Sequence, residues 1–85
     1  MKLRYYTDPG HGWLGVKRKV LKDLGLLDKI TSYSYQRGDT VYLEEDCDLP
    51  TLATKMAQIG DIIVYDTRHT DQRSPIRSYE SFRAA

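Results

Sequence analysis

The stretch Gln36-Arg37-Gly38-Asp39-Thr40-Val41-Tyr42-Leu43-Glu44-Glu45 decides the fold. Gln36 to Asp39 has a glycine where a tight reversal needs backbone freedom. Thr40 to Glu45 then alternates, with Val41 and Leu43 on one face, as a half-buried strand does. Ile30 to Gln36 reads as the strand that enters the turn, so the centre of the chain is predicted to be a β-hairpin. The Arg37-Gly38-Asp39 triplet spells an adhesion motif, but turn chemistry accounts for it.

Downstream, Asp48 stands at an N-cap position and Pro50 falls in the first turn of a helix. Leu49, Leu52, Ala53, Met56 and Ile59 mark its apolar face, and Gly60 ends it. Asp61 to Asp66 carries Ile62, Ile63 and Val64 in succession, the pattern of a central strand buried on both sides. Upstream, Lys2 to Thr7 alternates with Leu3 and Tyr5 on one face, Asp8-Pro9-Gly10-His11-Gly12 supplies a reversing turn, and Trp13 to Val16 returns as a short strand. Val16, Val20, Leu21 and Leu24 then recur at helical spacing opposite Lys17, Arg18, Lys19 and Lys22. Gly25 followed by Leu26 matches a left-handed C-terminal cap.

The resulting order, ββαββαβ, predicts an α+β fold: a two-layer sandwich of a mostly antiparallel sheet with two helices on one face. Residues 1–69 are expected to form a single domain and residues 70–85 a peripheral, irregular C-terminal segment that adds little to the core and can be deleted without unfolding it. The expected core draws on every element: Leu3, Tyr5, Trp13, Val20, Leu21, Leu24, Val41, Leu43, Leu52, Met56, Ile62 and Val64.

Composition narrows the function. The chain has 85 residues, and thirteen Lys and Arg against twelve Asp and Glu leave a net charge of +1, well short of the positive excess that phosphate-dominated binding exploits. A domain of this size has little room to enclose a large cofactor, and none is expected. Cys47 is the only cysteine, so no internal disulfide forms and a reducing, cytoplasmic setting is the simplest expectation. No run approaches the ~18 apolar residues of a membrane span, and Met1 to Tyr6 lacks the apolar region of a leader.

Glu44, Glu45, Asp46 and Asp48 crowd the approach to a helix but lack the loop spacing of a calcium site, so no metal is expected. These carboxylates instead suit a docking patch for a basic partner. The acidic neighbours of Cys47 oppose thiolate formation, and Cys47 is expected to be partly buried and structural. Asp8 is expected to cap the first turn, Trp13 to anchor packing and His11 to be exposed. No nucleophile elbow, phosphate loop or zinc-protease motif occurs.

Arg68 to Arg83 interleaves Arg68, Arg73, Arg77 and Arg83 with Tyr79 and Phe82, residue types found at protein interfaces and in nucleic-acid contacts. The candidate partner-binding residues are therefore Arg68, Arg73, Arg77, Tyr79, Phe82, Glu44, Glu45 and Asp46.

Tyr5-Tyr6-Thr7-Asp8-Pro9-Gly10-His11-Gly12-Trp13, Tyr33-Ser34-Tyr35 and Arg73-Ser74-Pro75-Ile76-Arg77-Ser78-Tyr79-Glu80-Ser81-Phe82 give the chain a look that resembles short hypothetical proteins of bacteriophages and mobile elements. That resemblance implies no activity and no catalytic residues. It implies a small accessory protein that binds a host partner. The expectation is thus a non-enzymatic protein-binding module, with a nucleic-acid-binding accessory protein as the alternative and a small enzyme third.

Overall fold

The computed structural model describes the whole chain, Met1–Ala85. β1 (Lys2–Thr7) and β2 (Gly12–Lys17) form a hairpin that leads into α1 (Arg18–Asp23) and a 3-10 turn at Leu27–Lys29. β3 (Tyr35–Arg37) and β4 (Thr40–Glu44) form the second hairpin, followed by α2 (Leu49–Gln58) and β5 (Val64–His69). A second 3-10 turn at Pro75–Ser78 and the short β6 (Glu80–Ser81) complete the chain.

The fold is α+β, with a 6-stranded sheet in the order β5-β1-β2-β4-β3-β6. All neighbouring strands are antiparallel except β1 and β5, which run parallel.

Local chemistry explains the elements that the sequence announces. Arg37 pairs with Thr40 and Gly38 takes φ +59°, which leaves Gly38-Asp39 as a two-residue loop of the kind whose twist suits a hairpin. Both helices end alike. Beyond α1, Gly25 takes φ +72°, its N–H donates to the Lys22 carbonyl at 3.0 Å, and the Leu26 N–H reaches back to Leu21 at 2.8 Å. This glycine-capped end satisfies carbonyls that the helix leaves free, and it buries Leu26. Gly60 ends α2 with the same pair of bonds, to Ala57 and Met56.

One face of the sheet carries the main core. Leu14 and Val16 of β2 and Val41 and Leu43 of β4 meet Leu21 of α1 and Leu52 and Met56 of α2, so both helices pack on that face. Leu3, Tyr5, Val20 and Leu24 are half-buried against this cluster. Trp13 alternates with Leu14 along β2 and therefore faces the other way, yet it is only 2% exposed. Its cover is the C-terminal 3-10 turn, whose Arg77 guanidinium lies 5.2 Å from the indole centroid, together with the Tyr35 ring, edge-on with centroids 6.4 Å apart.

Four expectations are corrected. Only Tyr35–Arg37 of the Ile30–Gln36 segment is a strand, because Thr31 and Ser34 are tied by hydrogen bonds to the Asp48 carboxylate. For the same reason Asp48 stands at the start of α2 without its side chain capping the helix. The segment holding Ile62, Ile63 and Val64 is not central, since β5 lies at the sheet edge beyond β1. There Ile62 is 70% exposed and Val64 is also exposed, and only Ile63 reaches the core.

The C-terminal segment is not peripheral either. Ile76 is buried and Phe82 joins the main core, because the Phe82 N–H donates to the Ser34 carbonyl at 2.9 Å and β6 pairs with β3.

Leu52→Ala is expected to lower unfolding free energy by about 2 to 5 kcal/mol and Phe82→Ala by about 3 to 5 kcal/mol, since each opens a cavity in a closed core. Denaturant titration measures both. Wild-type stability in Phe82→Ala would contradict the place given to the C-terminal segment.

Candidate functional site

The first turn is organised by Asp8, whose side chain is 1% exposed. Asp8 Oδ1 accepts the N–H groups of Gly10 and His11, both at 3.0 Å, which closes the turn as its sequence suggests. From across the fold, Arg77 grips the carboxylate with Nε on Oδ2 at 2.6 Å and Nη2 on Oδ1 at 2.8 Å. The Ser74 N–H adds a bond to Oδ2 at 2.9 Å. The two-pronged Arg77 bond, aided by these backbone amides, holds the Asp8 carboxyl far below its ordinary value. Arg77, a candidate contact residue by sequence, is therefore engaged inside the fold.

His11 projects from the same turn. The β2–β4 register places Trp13 opposite Glu44, which brings His11 Nδ1 to 3.9 Å from Glu44 Oε1 and 3.8 Å from Glu45 Oε1. The other oxygen of each carboxylate is already bonded. Glu44 Oε2 accepts the Asp46 and Cys47 N–H groups, and Glu45 Oε2 accepts the Tyr5 hydroxyl at 2.7 Å. Burial, and then the Glu45 carboxylate, push the Tyr5 hydroxyl up to about 12. His11 is exposed, as the turn sequence predicts, but its place facing two glutamates follows only from the strand register.

Cys47 is exposed, not partly buried. Its thiol is pushed up first by its hydrogen bond with Glu44, then by burial and the surrounding carboxylates, an environment that disfavours a nucleophilic thiolate.

The remaining candidates fall apart into different roles. Phe82 is buried under the Arg18 guanidinium, 5.3 Å from its ring centroid, and offers no contact surface. Tyr79 is half-buried, 5.3 Å from Tyr42 and beneath Arg37. Arg73 is exposed and donates to the Ser78 hydroxyl at 2.9 Å. Arg68 is exposed on β5 and bonds Asp66 through Nη2 at 2.9 Å. Asp46 is exposed at the acidic corner.

Arg68 and Tyr79 do meet, in a groove of about 290 Å³ between β1, β5 and the C-terminal turn that Tyr6, Tyr42, His69 and Ile76 also line.

The feature that sequence reasoning missed is the open edge at β5. The Val64 N–H donates to the Met1 carbonyl and the Thr70 N–H to the Thr7 carbonyl. The period of two along a strand then turns the backbone groups of Val64, Asp66 and Arg68 toward β1 and those of Tyr65, Thr67 and His69 outward. On and just before this strand stand Ile62, Val64 and Tyr65, all exposed. The signal lay in Asp66, Arg68 and His69, whose charge and polarity suit an edge better than a strand buried on both faces.

No protein-family model matches the chain, and no curated protein or solved structure matches it.

Asp8 carries a pH signature. Its folded-state carboxyl titrates below the ordinary value of 3.8, so its stabilising contribution is complete above that value and is lost as pH falls toward the folded-state value. Asp8→Asn is expected to melt below wild type near neutral pH, with the gap narrowing from about pH 4 to about pH 2. Arg77→Lys should also melt below wild type, because an ammonium cannot reproduce the fork. Thermal melts across pH measure this, and a gap that does not change with pH would refute it.

Proposed function

We propose that this chain is a non-enzymatic protein-binding module whose contact surface is the open β5 edge with its neighbouring apolar side chains. The observation that carries this reading is the coincidence of two features on one strip: outward backbone donors and acceptors at Tyr65, Thr67 and His69, and exposed side chains at Ile62, Val64 and Tyr65. A strand added to such an edge gains main-chain hydrogen bonds for affinity and side-chain contacts for selectivity. The resemblance to short phage and mobile-element proteins agrees with an accessory protein that acts by covering a partner's surface.

The arginines give the nucleic-acid alternative less support than the sequence did. Arg68 is paired with Asp66, Arg77 with Asp8 and Arg83 with Glu80. Each pairing withdraws a cation from phosphate contact. The acidic corner of Glu44, Glu45 and Asp46 lies at the far end of β4 and serves this reading as a secondary, electrostatic contact at most.

The test is retention on immobilised protein, comparing wild type with Thr67→Pro. Proline there removes an outward N–H while leaving the bonds to β1 in place. Wild type is expected to retain a protein, either another chain or a further copy of itself, and Thr67→Pro is expected to lose it by at least tenfold at an unchanged melting temperature. Equal retention by both proteins, or retention of nucleic acid that disappears as salt is raised, would reject the edge as the contact surface.

A further inference from the structure

We propose that the strand added at this edge is β5 of a second copy, paired antiparallel about a two-fold axis through Thr67. The inference rests on the reading of β5 as a contact edge and specifies its occupant. It follows from the side-chain order Val64-Tyr65-Asp66-Thr67-Arg68-His69 and from which backbone groups face outward.

An antiparallel pair must bring outward-facing residues opposite each other. With Tyr65, Thr67 and His69 outward, the two-fold axis can pass through a β5 residue only in a few registers, and charge separates them. Centring on Asp66 sets it against the partner's Asp66, and centring on Arg68 sets two guanidiniums face to face. Like charges directly opposite are destabilising. Centring on Tyr65 leaves Asp66 opposite the partner's Val64.

Centring on Thr67 places Asp66 opposite the partner's Arg68 and Arg68 opposite the partner's Asp66, while Tyr65 meets the partner's His69. Within one chain Asp66 already bonds Arg68 at 2.9 Å and lies 4.0 Å from Arg4. The paired strands therefore form a square of alternating charges in which each carboxylate has a guanidinium along its own strand and another across the junction.

The backbone agrees with this register. Thr67 would exchange both its N–H and its C=O with the partner's Thr67, and Tyr65 with the partner's His69. The sheet becomes continuous across both copies, and the outward row that one copy leaves open is satisfied by the same row of the other. A two-fold contact of this kind closes on itself and does not propagate into a filament.

The other edge is less suited to the role. β6 has only 2 residues, too few to present a ladder of comparable length.

Sedimentation or light scattering over a concentration series is the test, with four proteins and one mixture. Wild type is expected to form a dimer. Thr67→Pro, Asp66→Arg and Arg68→Asp are each expected to weaken it at least tenfold, with far-ultraviolet circular dichroism confirming that each remains folded.

The decisive sample mixes Asp66→Arg with Arg68→Asp. In that pair both positions of one chain are cationic and both of the other anionic, so a 1:1 heterodimer should recover at least the wild-type affinity. Failure of the mixture to associate, or dimerisation of Asp66→Arg alone as tightly as wild type, overturns the register. A wild type that stays monomeric while still retaining a different protein through the Thr67 edge overturns self-pairing and leaves the binding-module reading standing. A monomer that retains no protein sinks both.

Discussion

A buried carboxylate, Asp8, sets the constraint on which the second face of this protein depends. Taking a carboxylate out of water is costly unless charge and hydrogen bonds replace the lost hydration. Here the replacement comes from two places far apart in sequence: the amides of Gly10 and His11 within the first turn, and Arg77 and the Ser74 N–H within the last. Satisfying Asp8 therefore draws the C-terminal 3-10 turn over the sheet. Once there, the turn covers Trp13, places Arg77 over the indole and buries Ile76. A small domain whose helices occupy only one face gains a cover for the other.

Asp48 plays a parallel part beside the end of β4, where its N–H donates to the Glu44 carbonyl at 3.0 Å. Its carboxylate accepts the Thr31 N–H and the Thr31 and Ser34 hydroxyls, and the Ser34 hydroxyl in turn accepts the Glu44 N–H at 2.9 Å. A local rule and a long-range demand compete for this side chain. The local rule assigns it to the first turn of α2, whereas the structure uses it to fix the loop that delivers β3 to the sheet. The loop must be held because Ile30, just before it, is buried in the core, and its backbone has no ladder to satisfy it.

What could be read in the sequence follows from the range of the forces involved. Gly25 and Gly60 end their helices, and Gly38 turns its hairpin, through bonds spanning only a few residues, so the letters alone predict them. The alternation of Val41 and Leu43 and the helical spacing of Leu52 and Met56 likewise translate directly into burial. The position of a strand within a sheet is different in kind. Ile62-Ile63-Val64 looks central because it is apolar, but β1 already has β2 on one side, and β5 becomes an edge because nothing pairs beyond it.

The candidate site suffered from the same limit. Arg77 and Phe82 resemble contact residues in a polar segment until Asp8 and Ser34, some 70 and 48 positions away, claim that segment.

The two edges of the sheet show how unevenly this chain protects itself. On one side the sheet tapers through β3 to the very short β6, and a short edge strand offers little for another chain to extend. On the other, β5 runs for 6 residues in register with β1 and has apolar side chains exposed beside it. The devices that usually blunt such an edge are partly present, since Asp66, Arg68 and His69 interrupt its hydrophobic character. Their arrangement matters more than their number. Asp66 and Arg68 carry opposite charge on one face, so they oppose a neighbour in the wrong register and accept one in the right register. Under the proposed pairing, an edge of this composition would discriminate between registers, whereas a uniformly charged edge would repel a copy of itself in every register.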